Sequence, residues 1–172
     1  MVLTPPFDEE TVRSIEAGTE VLLQGTLYAA RDEAHRRMVE ALERNEALPF
    51  DLRGAVLYYV GPTPGAPGRA VGAAGPTTAA RMDPYTPLLL EHGLRGMIGK
   101  GGRSLEVIHA MHRFGAVYFA ATGGAGALLG RCVRSAEVIA YGELGPEAIR
   151  RLAVYNFPAI VAIDAAGRSL YR

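Results

Sequence analysis

The stretch GMIGKGGRSLEVIHAMHRFGAVYFAA, Gly96–Ala121, decides the fold class. Gly96–Ile98 is a short apolar run that suits a buried strand, and Ala116–Ala121 (AVYFAA) is a second one. Between them Ser104 stands where a helix N-cap belongs, ahead of the helical pattern LEVIHAMHRF. Strand, helix and strand follow one another with only short links, which is the signature of an α/β layer structure.

The same reading extends outward in both directions. Upstream, EVLLQGTLYAA (Glu20–Ala30) reads as a strand, with Gly25 as a bulge or close-approach point. Asp32 then fits the N-cap of a helix over DEAHRRMVEALERNEA, with Ala34, Met38, Val39, Ala41 and Leu42 as its apolar stripe. Two further strands, Ala55–Val60 and Arg69–Ala74, bracket the loop GPTPGAPGR. Asp83-Pro84 predicts an N-cap and first-turn proline for a short helix running to Gly93. Downstream, Ala125–Leu129 is a short helix, Glu137–Tyr141 and Ala159–Asp164 are strands, and PEAIRRL between them is helical. The expected fold class is therefore α/β with a mixed central sheet flanked by helices.

Composition bounds what such a domain does. A chain of 172 residues, 49% apolar and 21% charged, suits one domain spanning residues 1–172. No apolar run nears the ~20 residues of a membrane-spanning helix, and no secretory signal pattern opens the chain, so a cytoplasmic location is expected. Eighteen basic and eighteen acidic residues cancel, which argues against nucleic acid as a bulk partner. The single cysteine, Cys132, cannot make an internal disulfide or hold a metal ion by itself. The zero balance conceals an asymmetry. Residues 1–60 carry eleven acids against six arginines, so the remainder is basic and is the better place for an anion site. Lys100 is the only lysine beside seventeen arginines. In so arginine-rich a chain, it hints at a position that wants a compact ammonium.

Three segments carry groups suited to an anion. In GTLYAARDEAH, Arg31 falls where a strand gives way to a helix, and its guanidinium can lean over the end of the sheet; an ordinary surface pairing with Asp32 or Glu33 is the competing reading. His35, one helical turn on, can join it. In AAGPTTAARMD, the Gly75-Pro76 turn presents the hydroxyls and amides of Thr77 and Thr78, and Arg81 trails them by one turn, a set that suits a carboxylate. In GMIGKGGRS, the glycines look like a phosphate loop but fail its spacing, and Gly101 stands where a magnesium-binding hydroxyl belongs. What remains is pliable backbone beside the Lys100 ammonium. The run GGAGALLG, Gly123–Gly130, likewise fails the dinucleotide fingerprint. His109 and His112 have a metal-compatible spacing but no completing ligands, and His92 suits a helix end.

Taken in order, LTPP, GTLYAARDEAHRR, AGPTTAARMD, GKGGRS and the closing GELGPEAIRRLAVYNFPAIVAIDAAG resemble the β-type chain of iron–sulfur hydro-lyases, class I fumarase and L-tartrate dehydratase. The resemblance covers Leu3 to Gly167 and implies a swivelling β/β/α domain. It implies that a [4Fe–4S] cluster sits on three cysteines of a separate α subunit, with none bound by this chain. The expected partners are that α subunit, in an α2β2 assembly or with a homodimer as the form of this chain alone, and a small dicarboxylate. By position, Arg31, Thr77, Thr78, Arg81 and Lys100 look like the family's substrate contacts, with Thr77, Lys100 and Arg81 catalytic and Thr77 abstracting the proton. The implied reaction is hydration of fumarate to (S)-malate. Asp83, the Arg-Ser after Gly102 and the NFPA segment place fumarase ahead of tartrate dehydratase, the second reading. A non-catalytic anion-binding or assembly module is the alternative of another class. The chain departs from many fumarase-type members in having alanine, Ala30 and Ala80, before the two arginines.

Overall fold

The computed structural model describes residues 1–121 and 125–171; the start of the GGAGALLG run, Gly123 and Gly124, lies outside the described residues. In chain order the elements are β1 (Val2–Leu3), α1 (Glu9–Ser14), β2 (Glu20–Ala29), α2 (Asp32–Glu43), β3 (Val56–Tyr58), α3 (Thr86–Glu91), β4 (Gly96–Gly99), α4 (Leu105–Phe114), β5 (Val117–Ala120), α5 (Gly126–Arg131), β6 (Val133–Ala140) and β7 (Ile149–Ile163). Two 3₁₀ turns, Ala79–Met82 and Gly142–Glu147, precede α3 and β7.

The sheet is mixed, as the strand–helix alternation predicts. Strands β2, β3, β4 and β5 run parallel, and β7 returns antiparallel to both β5 and β2. That double pairing closes β2-β3-β4-β5-β7 into a barrel-like ring, with β1 appended to β2 and β6 to β7. The two long strands, ten and fifteen residues, make the closure. Their register slips between Leu23 and Gly25, opposite Asn156 in a left-handed conformation. Gly25, at φ 103°, is the bulge point predicted for it, and a Cβ there would lie 3.1 Å from Thr4 Cγ2.

Period-2 alternation explains why the short parallel strands are apolar throughout. Val56 and Tyr58 of β3 face one core with Leu23, Leu27, Ile98, Phe119, Phe157 and Val161. Leu57 and the following Tyr59 face the other, together with Met38 of α2, Leu89 of α3 and Met111 of α4. Strands buried on both faces read as unbroken apolar runs. Ser104 caps α4 as the sequence predicts, accepting from the Val107 amide at 3.3 Å, and Gly115 ends it in the left-handed region.

Four local expectations are corrected. Arg69–Ala74 forms no strand; Thr63 folds back on it instead, with Gly72 N–H donating to the Thr63 carbonyl at 2.9 Å and Ala73 N–H to Thr63 Oγ1 at 2.7 Å. In the run PEAIRRL, Pro146 and Glu147 end the second 3₁₀ turn and Ile149–Leu152 is the start of β7 rather than a helix, because pairing with β2 and β6 outweighs a helical spacing only a few residues long. Asp83 does not cap α3, which begins at Thr86 with Pro87 in its first turn. Its carboxylate accepts from Ser104 N–H instead, at 2.8 Å, and so fastens the start of α4. Asp32 lies inside α2, whose N-cap is Arg31. No helix among the described residues is long and apolar enough to cross a membrane.

Candidate functional site

Because β2 to β5 are parallel, their carboxyl ends share one edge, and the three anion-suited segments meet there. Arg31 follows β2 after one residue, Ala30, and Lys100 follows β4 directly. The turn after Gly75-Pro76 is inserted where β3 and β4 diverge. Thr77 N–H donates to the Tyr59 carbonyl at 2.7 Å, Lys100 N–H donates to the Thr77 carbonyl at 3.2 Å, and Ala79 N–H donates to the Lys100 carbonyl at 2.9 Å. Thr78 and Lys100 thus form a parallel bridge that extends the sheet by one rung. Ligands of parallel α/β sheets favour this edge, outside the carboxyl ends of the strands.

Two glycines allow that close approach. A Cβ on Gly99 would sit 2.9 Å from Tyr59 Cδ2 and 3.3 Å from the Thr77 carbonyl oxygen, so any side chain would push the Thr77 segment off the sheet. A Cβ on Gly61 would sit 2.8 Å from Arg31 Nη1, which shows that the Arg31 guanidinium lies across the loop leaving β3. Arg31 caps α2 without a side-chain capping bond, in extended conformation, so its side chain is free to reach that position. Its carbonyl accepts from both the amide and Nδ1 of His35, at 2.9 and 2.7 Å.

Arg81, on the 3₁₀ turn after Thr78, is steered to the same place by Asp32. Its Nε and Nη2 lie 2.8 and 2.7 Å from Asp32 Oδ2. The surface pairing weighed for Arg31 therefore belongs to Arg81. Arg31 and Lys100 have no carboxylate partner among the described residues. Ala30 and Ala80 both avoid positive φ, so alanine fits at each position. The face is open: Thr78, Arg81 and Lys100 are exposed, while Thr77 and Arg31 are half-buried.

Behind this edge lies a buried polar layer. Among the described residues four buried side-chain atoms have no hydrogen-bond partner: Arg31 Nε, Asp32 Oδ1, His35 Nε2 and the Tyr59 hydroxyl. The His35 ring packs edge-on against Tyr59, with centroids 5.3 Å apart. Burial pushes the His35 pKa down to about 4, so the imidazole is neutral at physiological pH. Nearby, the Arg103 side chain is wholly buried, pairs with Asp83 at 2.7 Å, and packs against both the Tyr59 and Tyr118 rings.

The remaining candidates fall elsewhere. His109 and His112 are exposed on α4. His92 ends α3 with Nδ1 2.9 Å from the Leu88 carbonyl oxygen, as expected of it. Burial raises the Cys132 pKa, which disfavours a thiolate. Among the described residues no group of three His, Cys, Asp or Glu side chains is placed to hold a metal ion. A single protonated thiol does not fit an iron–sulfur cluster, which needs several thiolates. Sequence reasoning missed Tyr59, whose carbonyl anchors Thr77, and Gly61. Both sit in stretches that read as plain strand and plain loop.

Fold and site together define a mixed α/β domain with an open edge of two hydroxyls and three cations, a donor set matched to a carboxylate ligand. The chain belongs to the family described as Fumarase C-terminus, which matches residues 2–172. It is 36% identical to fumarate hydratase 2 of Leishmania major over 98% of this chain and 30% of that protein. It is 38% identical to the anaerobic class I fumarate hydratase of Escherichia coli K12, over 90% of this chain and 28% of that one. A third relative is a putative L(+)-tartrate dehydratase subunit beta of Methanocaldococcus jannaschii, 38% identical over 95% of this chain and 87% of its own length. The chain thus spans under a third of the fumarate hydratases but nearly the whole of a β subunit.

Proposed function

We propose that this chain is the β subunit of a two-subunit hydro-lyase, a fumarate hydratase that interconverts fumarate and (S)-malate when joined to an α subunit. The observation that carries the proposal is the junction of Thr77, Thr78, Arg81, Lys100 and Arg31 at one sheet edge, in a chain of the fumarase family. Residues 1–172 act as a single domain in this reading, supported by two apolar cores that share one sheet. The open face of the site suits a domain that swings onto its partner.

In the proposed mechanism Arg31 and Arg81 hold the substrate carboxylates, Arg81 with its angle set by Asp32. Lys100 adds a compact charge where the reacting carbanion develops. Thr78 orients the substrate, and the Thr77 hydroxyl takes the proton from carbon. A threonine is a poor base unless its alkoxide is stabilised, so the cations beside it are a requirement of the role. The Thr77 backbone is fixed between Tyr59 and Lys100, which keeps the hydroxyl in place without help from its own side chain. The [4Fe–4S] cluster belongs to the α subunit, since this chain offers only Cys132.

A second reading, L-tartrate dehydratase, is favoured by the relative whose length this chain nearly matches. The test is anaerobic co-expression with the α subunit, followed by ultraviolet assay of fumarate formed from malate. Turnover of malate supports the first reading. Turnover of tartrate alone replaces it with the second, and turnover of neither by a complex holding its cluster leaves the chain as an assembly module.

A further inference from the structure

We infer that His35 is a positioning residue of the carboxylate clamp, holding Arg31 in its working orientation through an Nδ1–H bond to the Arg31 carbonyl. The inference rests on the reading above and adds a residue to it.

The head of α2 departs from the usual capping pattern. Helices of this kind usually open on a residue whose short side chain caps the first amides. Here the N-cap is Arg31, which makes no side-chain capping bond, so its guanidinium is free for another use and its backbone lacks the usual local tether. His35 supplies the missing restraint. The Arg31 carbonyl accepts twice from it, from the amide at 2.9 Å and from the ring at 2.7 Å. A carbonyl oxygen cannot donate, so Nδ1 carries the proton, and in a neutral ring Nε2 is then an acceptor.

The surroundings keep that tautomer. His35 is fully buried, flanked by Tyr59 from the end of β3 at 5.3 Å and Tyr85 from the turn before α3 at 6.2 Å between centroids. Burial, aided by the Arg103 charge, outweighs the bond to the Arg31 carbonyl and the Asp32 charge on its own helix, both of which favour the protonated ring. A neutral ring can support Arg31 without placing a further positive charge behind a clamp that already holds three cations. The buried side-chain atoms left without partners among the described residues, Arg31 Nε, Asp32 Oδ1, His35 Nε2 and the Tyr59 hydroxyl, all belong to this one layer between clamp and core. A histidine that merely filled space would be replaceable by any apolar residue of its size.

The experiment compares His35→Leu, His35→Asn and His35→Gln in the assembled enzyme, with ¹⁵N NMR of the imidazole in the full-length wild-type chain. Asparagine carries its amide nitrogen near the place of Nδ1, whereas glutamine carries it near Nε2. His35→Leu should raise KM about tenfold with kcat changed by less than about threefold, the size of one lost hydrogen bond. His35→Asn should restore most of that loss and His35→Gln should not. The NMR should show Nδ1 protonated and Nε2 bare at neutral pH. A proton on Nε2, or a folded His35→Leu enzyme with wild-type KM, would overturn the inference. Failure of the wild-type assembly to turn over any hydroxy-dicarboxylate would instead strike the proposed function, leaving the tautomer result to stand by itself.

Discussion

Arg103 Nε lies 2.7 Å from Asp83 Oδ1, with the guanidinium wholly buried and the carboxylate nearly so. The other Asp83 oxygen accepts from Ser104 N–H at 2.8 Å, and Arg103 Nη2 donates to Thr86 Oγ1 at 2.9 Å. The pair therefore ties the starts of α3 and α4 together under the ring of Tyr59, whose carbonyl holds Thr77. Two of the segments that suggested the family by sequence, RMD and GKGGRS, meet in this contact.

Asp83→Ala should destabilise the chain by about 3–5 kcal/mol, because it leaves a buried guanidinium without its counter-charge. Urea denaturation of the isolated chain measures this. Glu137→Ala, which breaks only a pair with Arg151 exposed on both sides, should leave the midpoint nearly unmoved and serves as the control. A small shift for Asp83→Ala would mean that the aromatic rings and Thr86 suffice to hold Arg103.

Gly61 and Gly99 separate site from fold. The closest neighbour of a Cβ at Gly61 is the far end of the Arg31 side chain at 2.8 Å, which can move aside, and the Pro146 carbonyl oxygen follows at 3.2 Å. Gly61→Ala should keep wild-type stability to within about 1 kcal/mol yet raise KM by roughly 10-fold or more, as a charge-assisted contact is displaced. At Gly99 the neighbours are the Tyr59 ring, Ala79 Cβ and the Thr77 carbonyl. Gly99→Ala should cost about 1–3 kcal/mol as well as activity, the usual range for overpacking. Thermal melts and steady-state kinetics on both variants distinguish the two patterns.

How much of this was legible in the sequence depended on the range of the determining contacts. The Ser104 cap, the β2 bulge at Gly25 and the apolar β3 to β5 are local signals, and they stand in the structure as read. The PEAIRRL segment misled because the apolar spacing of its latter half fits a helix as well as a strand, and only pairing with β2 and β6 decides it. The site residues were legible as types, since hydroxyls and cations beside glycine have a chemistry of their own. Their arrangement was not. Asp32 and Arg81 are 49 positions apart, and only the parallel order of β2 to β4 brings them into contact.

Stability should fall as pH drops from about 6.5 towards 4. An unfolded histidine titrates near 6.5. Burial holds folded His35 at about 4, so between these values the unfolded chain binds the extra proton and is favoured. The stabilising contribution is complete above the unfolded pKa and amounts to about 3 kcal/mol, lost below the folded one. Urea midpoints measured across this window should slope less in His35→Leu than in wild type. An equal slope would show that other groups set the acid response.

Lys100→Arg should lower kcat/KM of the assembled enzyme by about 100-fold even though charge is kept. The Lys100 backbone is fixed on both sides, its amide on Thr77 and its carbonyl on Ala79, so the fold should survive the change. A planar guanidinium cannot occupy the place of a compact ammonium in a site already holding two others. Turnover near wild type would sink the idea that an ammonium is required.

Thr77 offers the sharpest test of the proposed chemistry, because its main chain and side chain can be separated. The amide donates to Tyr59 and the carbonyl accepts from Lys100, so neither anchor uses the hydroxyl. Thr77→Val is nearly isosteric and keeps both anchors. Its melting temperature should match wild type while kcat falls about 10²–10⁴-fold, the usual loss on removing a general base. Thr77→Ser should keep most of the rate, since a hydroxyl remains on the same fixed backbone. Thr78→Val, one residue further along the same bridge, should act mainly on KM, because Thr78 is assigned to orienting the substrate and not to moving its proton. If Thr77→Val kept kcat to within about tenfold, another group would be the proton acceptor, and the fixed Thr77 would be a binding element alone.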